Sequence, residues 1–216
     1  MNGIVVAVAQ QKGGAGKTTL STHLAAAWTK AGRKVALVDV DPQGSLAAWG
    51  ALRAAQGGRW PALAVEAASG WRADSIAGRL AAGHEIVLVD TPPHGEIDTK
   101  AVVRAAALIV VPVQPSPLDV WATRPTLKLA KAEGRPALVV LNRVPARATL
   151  NEAMREMLAA EGARIARATL GSRVAFAAAV AEGATAIETA PTSLAAREAT
   201  ALAEEVLKAA RAAARR

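Results

Sequence analysis

Short, wholly apolar runs alternate with longer stretches of helical periodicity along most of the chain. Residues 4–9 are continuously apolar and end at a cluster of glycines, and residues 18–30 then carry Leu20, Leu24 and Trp28 at helical spacing, so the chain opens as strand, loop and helix. Residues 35–38 predict a second strand, 46–55 a helix, 56–60 a glycine-rich turn and 62–65 a short strand. A helix over 71–81 leads into an apolar strand at 86–89, closed by Asp90-Thr91-Pro92-Pro93. After a further helical stretch, 108–113 predicts a strand stopped by Gln114-Pro115-Ser116-Pro117, because proline cannot extend the ladder. Residues 118–132 predict a helix in which Pro125 stands near the first turn or makes a kink. A strand at 137–141 ends at Asn142-Arg143; a helix at 150–161, a strand at 164–168, a short helix from Ser172 and a closing helix from Thr192 complete the pattern. Such alternation predicts an α/β fold, a mainly parallel twisted sheet with helices on both faces.

Length and composition narrow this picture. The 216 residues suffice for one well-buried α/β domain spanning 1–216, with no internal repeat or linker, and the Ala/Arg-rich segment 209–216 is expected to fray. Hydrophobic residues make up 52% but aromatic ones only 3%, so the interior has to rely on Val, Leu, Ile and close helix contacts through Ala. The absence of cysteine excludes disulfides, thiolate zinc sites and iron–sulfur ligation. Residues 1–9 lack the basic segment of a signal peptide, and no apolar run reaches the ~18 residues that would span a bilayer, so a cytoplasmic location is expected. A formal charge of +8 favours polyanions such as DNA, although a merely basic soluble surface would have the same composition.

The polar motifs fall where such sheets bind ligands, at the carboxyl ends of the strands: 12–19, 39–43, 90–93 and Asn142. A phosphate-binding loop reads G-x-x-x-x-G-K-[ST], its backbone N–H groups cradling phosphates, its Lys reaching the terminal ones and its hydroxyl ligating Mg²⁺. Here Gly16, Lys17 and Thr18 fit the end of the pattern, whereas its first glycine position holds Gln11 and an additional Lys12 stands at the start. For ATP with Mg²⁺, residues 13–18 (Gly13, Gly14, Ala15, Gly16, Lys17 and Thr18) with Thr19 would supply donors, Lys17 the charge and Thr18 a metal ligand. Asp90, closing an apolar strand, is the candidate second metal-site residue, reaching Mg²⁺ through water; on its own an Asp in that position is as readily a turn former. His23, His84 and His94 lack metal-ligand spacing and read as structural or surface residues.

Taken together, K-G-G-x-G-K-T-T, Asp39-Val40-Asp41-Pro42-Gln43-Gly44 and V-D-T-P-P resemble the ParA/MinD family of ATPases with a deviant phosphate loop, specifically its short forms without an N-terminal helix-turn-helix. Relatives of that class that carry iron–sulfur clusters need cysteines this chain does not have. The resemblance implies that Lys12 reaches across a homodimer to the partner copy's nucleotide. It also implies that Asp41 is catalytic and near the metal, with Asp39 secondary, and that the segment Gln114 to Asp119 lies near the dimer interface. Asn142 would contact adenine, and the loop at Ala190-Pro191-Thr192-Ser193 would pack against the base through Pro191, although Thr192 or Ser193 could equally cap a helix. The expected activity is slow ATP hydrolysis. ATP would close the dimer on nucleoid DNA without sequence preference, Arg147 and Arg173 being candidate contacts, and a cargo-linked partner protein would stimulate hydrolysis. The alternative is a MinD-like ATPase whose closing helix, with Leu202, Val206 and Leu207, inserts in a membrane surface.

Overall fold

The computed structural model describes residues 2–93, 96–146 and 150–215. Among them, β1 (Ile4–Val8), β2 (Val35–Asp39), β3 (Ala64–Ala67), β4 (Ile86–Asp90), β5 (Leu108–Val113) and β6 (Ala137–Leu141) form one sheet in the order β3-β2-β4-β1-β5-β6. Every pairing is parallel. The helices are α1 (Lys17–Lys30), α2 (Ser45–Ala55), α3 (Ala73–Ala81), α4 (Glu96–Ala105), α5 (Pro117–Ala132), α6 (Leu150–Ala160), α7 (Val174–Ala181), α8 (Ala186–Thr189) and α9 (Leu194–Ala214).

The apolar runs are explained by burial on both sheet faces. Val6, Val8, Leu37, Leu88 and Val110 lie in the core beneath α1, α2, α7, α8 and α9; their neighbours Ala7, Val38, Val89 and Val111 lie in the core beneath α3, α4, α5 and α6. Alanine does the work expected of it. Ala195, Ala199 and Ala203 are buried on α9, which packs against α1 closely enough for the Trp28 indole N–H to donate to the Ala203 carbonyl at 2.9 Å.

That packing bears on the closing helix. Leu202 and Val206 are 0% exposed, and Leu207 packs half-buried against the same core. Each buried side chain of this size stabilises the fold by about 1.5–3 kcal/mol, which transfer of the helix to a membrane would forfeit. The apolar face of α9 therefore belongs to the core.

Several elements differ from the sequence pattern. The edge strand β3 lies two residues later than predicted, and the helix predicted from 71 begins as a 3-10 turn at Gly70–Arg72 before α3. The predicted strand at 164–168 is reduced to a parallel bridge between Ile165 and Val139. Pro125 lies well inside α5 rather than in its first turn; Pro117 takes that place, behind the N-cap Ser116. Helix α8 was not expected: its four residues are nucleated by a capping box in which Thr185 and Glu188 satisfy each other's backbone N–H groups.

Candidate functional site

β1 delivers the chain into the loop at 10–16, and α1 begins at Lys17 with Gly16 as its N-cap. Gly14 (φ 73°) and Gly16 (φ 89°) take the left-handed conformation that glycine alone adopts without strain. A Cβ on Gly16 would lie 2.4 Å from Asn142 Nδ2, whereas a Cβ on Gly14 would meet nothing within 4 Å. The first N–H groups of α1 have no intrahelical partner and receive no side-chain cap, so free donors and a positive helix end are available to an anion.

The charges beneath the loop are short of complements. Lys17 is buried and its Nζ donates to the Gln10 carbonyl at 3.1 Å; burial lowers its pKa, with Asp90 and Asp41 nearby opposing the shift. Asp90 is 1% exposed and accepts from Thr18 Oγ1 at 2.6 Å and Ser21 Oγ at 3.1 Å. Burial pushes its pKa up to about 7 against the pull of those two hydroxyls. A phosphate beside Lys17 and a cation beside Asp90 would each favour the charged form again, which is the pattern a magnesium nucleotide fits. Among the described residues no three His, Asp or Glu side chains converge to cage an ion, so Thr18, Asp90 and phosphate oxygens would have to hold it together.

Register explains the second acidic group. β2 and β4 pair so that Asp39 stands directly beside Asp90. Asp39 is used by the backbone: its oxygens accept from the N–H of Asp41 at 3.1 Å and of Ala47 at 2.8 Å, fixing the loop into α2, and burial raises its pKa. Asp41 is half-exposed at the lip of the site, where its carboxylate accepts from the Gln43 N–H at 3.0 Å.

Lys12, at the start of the loop, has a different partner from Lys17. Its Nζ is 2.6 Å from Asp119 Oδ2, with side-chain exposures of 40% and 6%. Asp119 sits in the first turn of α5, its N–H donating to Ser116 Oγ at 3.2 Å while the Ser116 hydroxyl donates back to its carboxylate. Gln114 Nε2 donates to the Gly14 carbonyl at 3.0 Å. Within one copy, then, the segment from Gln114 to Asp119 grips the phosphate loop.

Asn142 at the end of β6 is a strut for that loop: its Nδ2 donates to the Ala15 carbonyl at 2.8 Å and its Oδ1 accepts from the Arg143 N–H at 2.9 Å. Arg143, at φ 52°, is the one non-glycine residue with positive φ among the described residues. Beside it opens a cavity of about 240 Å³ lined by Thr19, Asn142, Arg143, Arg173 and Phe176, contiguous with the start of α1. A wider hollow of about 500 Å³, lined by Thr29, Arg33, Lys34 and His84, lies at the amino ends of β2 and β3, away from this chemistry.

The remaining candidates separate. Arg173 donates to Glu198 through Nε at 2.8 Å and Nη2 at 2.6 Å, so its charge is offset within the chain. Pro191 is exposed between α8 and α9 and does not line that cavity; Ser193 caps α9 by accepting from the Ala196 N–H at 3.1 Å. His23 is buried, its Nδ1 bonded to the Thr19 carbonyl at 2.8 Å and its Nε2 accepting from the Ala186 N–H at 3.0 Å. His84 is bonded through Nδ1 to the Leu80 carbonyl at 3.0 Å. Arg147 and His94 lie outside the described residues. Sequence reasoning missed Ser21 and Gln10. Ser21 was in reach, one helical turn after Lys17 on the same face of α1; the contact of Gln10 with Lys17 is made by its backbone carbonyl, which no side-chain pattern reveals.

The chain is 33% identical over 186 residues, 82% of its own length and 84% of the relative's, to the maintenance of carboxysome distribution protein A of Halothiobacillus neapolitanus. Its fold matches the cell division ATPase MinD of Pyrococcus furiosus with a TM-score of 0.81 at 22% identity, covering 95% of this chain and 99% of that one. It matches an ATP complex of McdA from Cyanothece with a TM-score of 0.77 at 16% identity, covering 96% and 97%. The family model described as the CobQ/CobB/MinD/ParA nucleotide binding domain matches residues 6–186, and the chain belongs to that family.

Proposed function

We propose that this protein is an ATPase that closes into a homodimer on binding ATP, holds duplex DNA without sequence preference in that state, and positions a cargo with a partner protein that stimulates hydrolysis. The observation that carries the reading is the division between the two loop lysines. Lys17 is buried under the loop, whereas Lys12 stands 40% exposed at its rim, where a second copy laid on the carboxyl ends of the strands could receive it. There it would neutralise charge developing on the partner copy's terminal phosphate, as a cation supplied in trans does in other NTPases.

Within one copy, Lys17 and the loop amides would bind the phosphates, and Asp41 would orient the attacking water from the lip of the site. Positioning rather than strong basicity is what phosphoryl transfer asks of such a group, and slow turnover follows. Mg²⁺, held by Thr18 and through water by Asp90, would supply charge neutralisation at the terminal phosphates when bound. The formal charge of +8 supports DNA as the polyanion and a nucleoid location in the cytoplasm. Arg147 and Arg173 are the proposed contacts, Arg173 the weaker because Glu198 offsets it. The relative named for carboxysome distribution supports a positioned assembly as cargo. The burial of the α9 apolar face favours DNA over a membrane surface, and no helix among the described residues is long and apolar enough to cross a bilayer.

Binding to an arbitrary duplex, followed by fluorescence anisotropy with ATP, ADP or no nucleotide across a salt series, tests the proposal. Binding that requires ATP and weakens steeply with salt supports it. Binding indifferent to the nucleotide counts against it.

A further inference from the structure

We propose that the hollow at the amino ends of β2 and β3 binds an organic phosphate monoester, with the phosphate held at Lys34, Arg33 and His84 and the organic part laid on Val35 and Leu63. The proposal does not depend on the nucleotide reading, because this end of the sheet is opposite the one that carries the phosphate loop. Helix α1 runs from Lys17 at one end to Lys30 at the other, about 20 Å. At about 500 Å³ the hollow has the size of a small-molecule site and exceeds what inorganic phosphate alone would fill. Its walls come from Thr29 in the last turn of α1, Arg33, Lys34 and Val35 at the entry to β2, Leu63 before β3 and His84 before β4.

The polar groups of these walls are not used up by the fold. Lys34 is exposed and its ammonium makes no salt bridge among the described residues; its contact with Glu85 is made by the backbone N–H at 3.3 Å. Arg33 engages Glu85 through Nη1 at 3.2 Å, a pair in which both side chains are exposed and the hold is weak. The His84 ring is bonded through Nδ1 to the Leu80 carbonyl, which only accepts, so Nδ1 carries the proton. Its Nε2, without a partner among the described residues, is left to accept from a phosphate O–H, or to donate once the ring is charged. Thr29 Oγ1 is buried and unpartnered, whereas Ser21 and Thr22 earlier in the same helix return their hydroxyls to carbonyls of α1 at 3.0 and 2.9 Å. Glu85 is the acid at this rim, and it senses Arg211 at the end of α9 as well as Arg33, so the cations outnumber it. The end of α1 does not present bare carbonyls at Trp28 and Thr29 to an anion, because the N–H groups of Arg33 and Gly32 close onto them at 3.0 and 2.9 Å.

Phenyl phosphate titrated into the full chain, with Mg²⁺ and ADP present to occupy the phosphate loop, tests the proposal through the NMR signals of the His84 ring. His23, bonded to Thr19 at the other end of α1, is the internal control, and His84→Gln assigns the signals. The His84 signals should shift saturably while those of His23 stay in place, and binding should weaken as salt is raised. Lys34→Ala should weaken it by about fivefold and Lys34→Arg should keep it; the exposure of Lys34 leaves the core of both variants intact. Inorganic phosphate and benzoate should each bind more weakly than phenyl phosphate. His84 signals that do not move, a shift at His23 alone, or equal binding by the native and Lys34→Ala chains overturns the proposal. Benzoate binding as tightly as phenyl phosphate overturns the assignment to phosphate, and inorganic phosphate binding as tightly overturns the part given to Val35 and Leu63.

Discussion

The side-chain amide of Asn142 donates to the Ala15 carbonyl at 2.8 Å and occupies the space a side chain on Gly16 would need, 2.4 Å from its Cβ position. The end of β6 thereby fixes the shape of the phosphate loop. Gly16→Ala adds a clash to a left-handed strain of about 1–2 kcal/mol, so nucleotide affinity should fall by at least about tenfold, measured with a fluorescent ATP analogue. Asn142→Ala in the same chain removes the clash and should recover part of that loss. Native affinity in Gly16→Ala would show that the loop is not held as described.

Asp39 and Asp41 differ in their surroundings, and their variants should differ too. Asp41→Ala leaves the loop amides, Lys17 and Thr18 untouched, so ATP should still bind while phosphate release stops and the ATP-bound species accumulates. Asp39→Ala strips the N–H groups of Asp41 and Ala47 of their acceptor and should cost about 1–3 kcal/mol of stability per unsatisfied group in urea denaturation. Normal phosphate release by Asp41→Ala would remove it from the catalytic assignment.

Arg53 and Glu188 form a buried pair, 3% and 8% exposed, with Arg53 also donating to the carbonyls of Pro61 and Gly183 and lying over the Trp49 ring. Arg53→Ala strands the Glu188 carboxylate and should destabilise the fold by about 3–5 kcal/mol. Arg53→Met together with Glu188→Gln should recover much of this. Chemical denaturation of the two chains distinguishes a pair that holds α2 to α8 from one that merely accompanies their packing.

Where five of the six strands lie could be read from the sequence, because a doubly covered parallel sheet needs unbroken apolar runs. The deviant loop, Asp90 and the Asp39–Asp41 loop were legible for a related reason: each follows directly after such a run, so its place at the carboxyl edge was fixed. Contacts made across the sheet were not legible. That Asp119 would meet Lys12, 107 residues away in sequence, depends on β1 and β5 being neighbours, and that order appears only with the topology. The fate of Arg173 depended likewise on a helix turn 25 residues later presenting Glu198. Helix α8 was invisible because four residues carry no periodicity; Thr185 and Glu188 make it by capping alone.

His23 predicts an acid dependence of stability. Burial holds its pKa down at about 4, below the ordinary 6.5, with the bond to the Thr19 carbonyl and the Glu188 charge opposing. The folded state keeps it neutral, so its contribution is fully present above pH ~6.5 and is lost as pH falls toward 4, where the unfolded chain takes up a proton that the folded chain refuses. A shift of this size corresponds to roughly 3 kcal/mol over that window. Denaturant midpoints between pH 7 and 4.5 should fall less steeply in His23→Gln than in the native chain; equal slopes would contradict the buried neutral ring.

Lys12 is proposed to serve a second copy while Lys17 serves its own. Sedimentation velocity of the native chain and Lys12→Ala, each with Mg²⁺ and either a non-hydrolysable ATP analogue or ADP, tests it most directly. The expected result is a dimer for the native chain with the ATP analogue, monomers with ADP, and a monomeric Lys12→Ala that still binds the analogue. A native chain that stays monomeric with the analogue, or a Lys12→Ala chain that dimerises as readily, would contradict it.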